Sequence, residues 1–241
     1  MTAKEHYDNH LGNFYSWMVG DFESKTKEFQ NFLKDNSIFP TNSKNAIDLG
    51  AGHGIQSVAL AKLGFNVFAI DFNKQLLNEL KRNSKGLNIE IVNGDIKNVN
   101  QFSAKEIELV LCCGDTLSHL NDKNEIKKLI TDISTILKSN EKILFSFRDY
   151  STELIGDSRF LSVKSDDNRI LTCILDYEKE KVRVTDLLHE KTETGWKQKV
   201  SSYFKVRILT NEIIELLESV GFKIQLNSVI NRMTNVIAIK I

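Results

Sequence analysis

Residues Ala46 to Lys62 read AIDLGAGHGIQSVALAK, a short apolar run, a cluster of glycines and then a helix-like segment. The chain holds 12 glycines in 241 residues, and three of them, Gly50, Gly52 and Gly54, fall within five positions. Glycine allows backbone conformations and close approaches that a Cβ would block. A strand running through such a turn into a helix N-terminus is a setting for a nucleotide-type cofactor. A nicotinamide fingerprint would place its third glycine at position 55, where Ile55 stands, so a dehydrogenase is disfavoured. An acidic residue, Asp48, lies two positions before the first glycine.

Outward from this turn, short apolar runs alternate with helical patterns from Asn45 to about Phe147. NAIDLG, NVFAID, NIEIVNGD, IELVLCC and KILFSF read as strands bounded by Gly, Asn or Asp. Between them lie IQSVALAKLG, NKQLLNELKRNSKG and NDKNEIKKLITDISTILKSN. The last puts Ile126, Leu129, Ile130, Ile133, Ile136 and Leu137 on one face, with Asp122 and Glu125 in capping-box spacing. The alternation predicts an α/β fold, a doubly wound and mostly parallel sheet covered on both faces. Asp71 and Asp95 then close the second and third strands. A strand-end carboxylate there can accept hydrogen bonds from ribose hydroxyls, although aspartate is also an ordinary turn former.

Two regions break the rhythm. Residues 1–40 form an aromatic-rich leader, read as one or two helices stopping at Pro40, the only proline. Residues 149–208 are rich in β-formers, RILTCILDY, KVRVTDLLHE and WKQKVSSYFKVRIL, with turns at EKE and TETG. They read as an antiparallel meander inserted in one domain whose α/β core is 45–148. Residues 209–241 supply a final helix, ending at Gly221, and two closing strands. With 32 basic against 32 acidic residues, no global field attracts nucleic acid or an anionic membrane. No apolar run has membrane-spanning length, and three cysteines, two of them adjacent, suit neither a disulfide framework nor a zinc site. The expectation is a reduced, cytoplasmic protein without a metal, with a homo-oligomer left open.

Asp48-x-Gly50-x-Gly52-x-Gly54 resembles the pattern of class I S-adenosylmethionine-dependent methyltransferases. The resemblance implies a Rossmann-like methyltransferase fold and S-adenosylmethionine as cofactor. With no proline after the fourth strand, the Asn/Asp-Pro-Pro-aromatic motif for planar amino groups and the Pro-Cys of cytosine-carbon enzymes are both absent. The stretch LCCGDTLSHL (Leu111–Leu120) with FRDY after the fifth strand is instead similar to the glycine N-methyltransferase group. YSWMVGDFESKTKEFQNFL in the leader and SSYFKVRILTNEIIELLESVGF near the end are similar to the same group.

The resemblance implies cofactor contacts at Asp48, Gly50, Ala51, Gly52, Asp71, Phe72, Asp95, Ile96 and Cys113, with Tyr15, Met18 and Lys25 closing from the leader. Gly114, Asp115 and His119 fall between methyl donor and acceptor, Arg148 on the arginine that grips a substrate carboxylate, and Tyr203 and Tyr7 near acceptor-site tyrosines. Asp115 stands where the group has Asn, which adds negative charge beside the acceptor and would favour a cationic amine. Met18 and Lys25 replace Tyr and Arg. From their own positions, Tyr7, Tyr15 and Trp17 equally suit a hydrophobic anchor, and Arg148 a surface arginine at a strand end. The expected activity is methyl transfer to a small molecule, at the amine of an amino-acid-like acceptor. O-methylation of a small metabolite and non-catalytic S-adenosylmethionine binding stand as alternatives.

Overall fold

A computed structural model describes residues 1–241. Strands β1 (Asn45–Leu49), β2 (Asn66–Asp71), β3 (Ile89–Asn93), β4 (Ile107–Cys112) and β5 (Leu137–Phe147) run parallel. A meander follows, made of β6 (Phe160–Ser165), β7 (Arg169–Tyr177), β8 (Lys181–Thr192) and β9 (Gly195–Val206). Strands β10 (Phe222–Ile230) and β11 (Met233–Lys240) close the chain, and the main sheet has the order β10-β11-β5-β4-β1-β2-β3. Strand β11, inserted between β10 and β5, runs antiparallel to both. The meander is a separate four-stranded antiparallel sheet.

The sequence alternates because the sheet is covered on both sides. One face packs Leu49, Val110, Phe145 and Phe147 against α6 (Lys123–Ile136) and α7 (Thr210–Ser219), through Ile130, Ile133, Ile213 and Leu217. The other packs Val67, Leu109 and Leu111 against α3 (Phe22–Asp35), α4 (Ile55–Lys62) and α5 (Lys74–Asn83), through Leu33, Val58, Leu60, Leu77 and Leu80. Successive strand residues face opposite ways, so adjacent Cys112 and Cys113 fall in the two different clusters.

Three sequence expectations differ from the structure. Helix α6 ends at Ile136, and LKSN belongs to β5, where Leu137 pairs with Ile107. Asn140 takes φ +72°, a left-handed kink that asparagine tolerates, before the regular ladder resumes at Lys142. The leader holds three α-helices: α1 (Ala3–Asn9), α2 (Tyr15–Val19) and α3, the last ending at Asp35 before Pro40 is reached. Gly20 at φ +103° breaks the run, and the Asp21 side chain caps α3 by accepting from Ser24 N–H. Strand β6 escaped the sequence reading because it is mostly exposed and bulged, with no core-facing alternation to see. No helix is long and apolar enough to cross a membrane.

Candidate active site

A cavity of about 1020 Å³ opens at the carboxyl ends of β1, β2, β4 and β5, walled by the leader, β9 and the β10–β11 turn. Every site residue expected from sequence lines it except Asp48. The crevice beyond the carboxyl ends of parallel strands is where open α/β sheets take their ligands.

The three glycines have different tasks. The N–H groups of Gly50 and Ala51 both donate to the Ile70 carbonyl at 2.9 Å, which pins the turn to β2. At Gly50 (φ +79°) a Cβ would stand 2.4 Å from the Thr116 side chain, and at Gly54 (φ +100°) 2.2 Å from Leu80 Cδ1. Those two positions are closed by the protein itself. At Gly52 (φ +53°) a Cβ would meet only the Tyr15 ring, 3.8 Å away, so this residue leaves room in the cavity.

Asp71, at the end of β2, accepts from Gly52 N–H and Asn73 N–H at 2.8 Å each, one on either carboxylate oxygen. Burial raises its pKa, and the backbone donors only partly offset this. Asp95 is half exposed and accepts from Lys97 N–H at 2.9 Å, capping the short helix that begins at Ile96. Phe72 meets Tyr7 edge-on at 5.8 Å, and Tyr15 meets His53 edge-on at 5.2 Å, its own phenol pushed up to about 12 by burial. Met18, Lys25, Ile96 and Cys113 complete this end, with the Lys25 ammonium paired to Glu28 at 2.7 Å.

Asp48 departs from the expected cofactor contact. It lies beneath the turn, fully buried, and accepts from Ser57 Oγ at 2.6 Å, fixing the start of α4 to β1. Burial pushes its carboxyl up to about 7. An acid raised from 3.8 binds an extra proton in the folded state, so its contribution to stability is present below about pH 4 and lost as pH rises to about 7. Asparagine keeps the hydrogen bond without titrating. The stability of Asp48→Asn relative to the parent should therefore climb by roughly 2–4 kcal/mol between pH 4 and pH 8 in urea titrations. A constant difference would mean that Asp48 titrates normally.

The opposite wall gathers Asp115, His119, Arg148 and Tyr203. Asp115, at φ +72°, is buried, and its carboxylate is fully engaged. Arg148 N–H donates to Oδ1 at 3.0 Å, while Tyr150 Oη (3.2 Å) and Lys205 Nζ (2.5 Å) donate to Oδ2. Burial works to raise its pKa, but the Lys205 ammonium and the hydrogen bonds hold it below the ordinary value. Here the sequence expectation is corrected. Asp115 brings no free negative charge to the cavity and is not poised to take a proton, because Lys205 already neutralises it.

His119 sits edge-on between Tyr7 (5.5 Å) and Tyr203 (5.8 Å), with Nε2 buried and unpartnered. Burial, with Lys205 nearby, lowers its pKa to about 3, so the ring is neutral. The Arg148 side chain is exposed at the cavity wall, and its guanidinium takes part in no hydrogen bond or ion pair. Tyr203 is buried, with its ring stacked on His6 at 4.1 Å.

Two residues escaped the sequence reading, Lys205 in the cavity lining and His6, which docks the leader. Lys205 lies two positions after Tyr203, on the same face of β9, a spacing that could have revealed it. His6 binds Ser201 Oγ at 2.8 Å and Asp186 at 3.1 Å, docking α1 on the meander. One of two histidines in the leader, it gave no signal. Asn73 donating to Asp8, and Gln75 donating to the Gly12 carbonyl, both at 2.8 Å, tie the leader to α5 as well.

Comparison with known proteins fits this geometry. Residues 46–140 match the Methyltransferase domain family. The fold is shared with an S-adenosylmethionine-dependent methyltransferase from Clostridium acetobutylicum ATCC 824, with TM-score 0.74 and 18% identity over 98% of this chain and 96% of that one. The CcbJ methyltransferase from Streptomyces caelestis gives TM-score 0.78 at 12% identity, over 97% of each chain. The sheet order, the glycine turn and these matches define the class: a class I S-adenosylmethionine-dependent methyltransferase fold.

Within that class the chain resembles the glycine N-methyltransferase group. It is 24% identical over 164 residues to the glycine/sarcosine N-methyltransferase of Aphanothece halophytica, across 66% of this chain and 60% of that protein. The chain thus spans about 60% of the length of that relative.

Proposed function

We propose that the protein transfers a methyl group from S-adenosylmethionine to the amine nitrogen of a small acceptor bearing a carboxylate. The observation that carries this reading is the unpaired guanidinium of Arg148, a residue that lines the same cavity as the Gly52 turn and Asp71. S-adenosylmethionine would supply an electrophilic methyl group as a sulfonium. The residues fit such a ligand. Gly52 leaves a gap that a methyl side chain would narrow, and the Asp71 carboxylate keeps lone pairs for ribose hydroxyls beyond its two backbone donors. A cavity of about 1020 Å³ has room for a second small molecule beside it.

At the acceptor side, Arg148 would grip a carboxylate through two parallel charge-assisted hydrogen bonds. His119, neutral and with a free Nε2, would accept an N–H and so aim the nitrogen lone pair. Neither Asp115, committed to three donors, nor His119, a weak base, is suited to removing a proton. The amine would bind as its free base, and positioning would supply most of the rate. The leader aromatics Tyr7 and Tyr15 would exclude water.

Incubating the protein with S-adenosylmethionine and a panel of amino acids, plain amines and hydroxy acids, and measuring S-adenosylhomocysteine, tests the reading. Turnover confined to hydroxy acids would replace N- by O-methylation. Alongside it, Asp71→Ala should weaken S-adenosylmethionine binding by about 1.5–3 kcal/mol in calorimetry. An unchanged affinity would remove Asp71 from the site.

A further inference from the structure

We infer that Lys205 is the specificity-determining residue of the acceptor pocket: by neutralising Asp115 it leaves Arg148 as the uncompensated charge, so that the pocket selects anionic groups. This deepens the function proposed above and rests on its assignment of the acceptor side. Three charged side chains meet at this wall, the Asp115 carboxylate against the two cations Lys205 and Arg148. The Lys205–Asp115 pair is held in a fixed arrangement. The Lys205 ammonium donates to Asp115 Oδ2 at 2.5 Å, beside Tyr150 Oη on the same oxygen, and Asp115 Oδ1 takes the backbone N–H of Arg148. The Arg148 backbone is therefore anchored by the very carboxylate that Lys205 neutralises, while its guanidinium stays free.

Both members of the pair are buried, Lys205 at 9% and Asp115 at 4% relative exposure, so little water screens their charges. Burial alone would strip the lysine of its proton. The Asp115 carboxylate, which accepts its hydrogen bond, instead keeps the pKa of Lys205 well above its ordinary value. The Lys205 Nζ also lies 5.8 Å from the centroid of the Tyr203 ring, which faces the same cavity. Without this lysine, Asp115 would be a bare carboxylate next to the bound acceptor. It would repel an acid and attract a protonated amine, the form that cannot accept a methyl group.

The test reads binding rather than turnover. With S-adenosylhomocysteine saturating, acetate and methylammonium are titrated into the protein and followed by changes in protein NMR shifts. The parent should bind acetate more tightly than methylammonium. In Lys205→Met that preference should fall by roughly tenfold or more, because one buried charge has been removed. In the double variant Lys205→Met with Asp115→Asn it should recover, because Arg148 again stands alone. S-adenosylhomocysteine affinity should stay within about twofold throughout, which separates a charge effect from general loosening.

An unchanged preference in Lys205→Met, no recovery in the double variant, or a parent with no preference for acetate would each overturn the inference. Should the single variant fail to fold, the double variant, which leaves no unpaired buried charge, carries the comparison: a preference equal to the parent's supports it, and a lost one refutes it. Failure of the methyltransferase reading looks different: no S-adenosylhomocysteine forms from any acceptor, whatever the ion preference.

Discussion

Replacing Arg148 with methionine is expected to lower kcat/KM for a carboxylate-bearing acceptor by roughly a hundredfold to a thousandfold, the cost of a lost bidentate charge-assisted pair. S-adenosylmethionine affinity should remain nearly unchanged. The separation follows from the geometry: Arg148 follows β5, whereas Gly52 and Asp71 belong to the β1 and β2 ends. The backbone N–H that serves Asp115 is retained in the variant, so the wall keeps its shape. Arg148→Lys should recover only part of the loss, because an ammonium is a point charge and cannot reproduce the planar fork. Steady-state kinetics across acids and uncharged amines decide the matter. Equal effects on both would show that Arg148 supports the fold and does not recognise a carboxylate.

The second large effect concerns stability. Gly54→Ala should cost about 3 kcal/mol, combining a left-handed backbone with overpacking against a fully buried leucine. The clash is specific: the new Cβ would stand 2.2 Å from Leu80 Cδ1, and Leu80 has no exposed surface into which to retreat. Gly52→Ala makes the contrast. It meets nothing nearer than 3.8 Å, so its stability cost should be limited to about 1–2 kcal/mol of backbone strain. Its S-adenosylhomocysteine affinity should nevertheless drop, since the methyl group points into the cavity. Chemical denaturation and calorimetry on the pair separate the two tasks. A Gly54→Ala protein as stable as the parent would show that α5 can move away without penalty.

Much of this architecture was readable from the chain. The β1-turn-α4 unit, Asp71 and the apolar face of α6 follow local rules, a strand period, a glycine cluster and a helical repeat, each contained in a dozen residues. What could not be read depends on distant partners. Asp115 reads as an acid beside an acceptor until Lys205, 90 positions later, is seen to occupy it. Asp48 carries the signature of a cofactor ligand, yet faces Ser57 beneath the turn. Residues Leu137–Asn140 continue the α6 composition and still turn into strand, because β4 offers Leu137 a backbone partner in Ile107. In each case tertiary pairing overrides a correct local signal.

The placement of β11 bears on how the protein matures during synthesis. This strand inserts beside β5 and brings Asn235 to the cavity, while Thr2 and Tyr7 arrive from the other end of the chain. The glycine turn and Asp71, by contrast, precede β5 in the chain and are made before it. A nascent chain thus carries the glycine turn long before it carries the opposite wall of the cavity, which waits for Tyr203, Lys205 and Asn235. Until then β5 presents an open edge, with Phe145 and Ser146 lacking their antiparallel partners. An edge left open in this way is one on which a strand of a neighbouring chain could pair until β11 arrives.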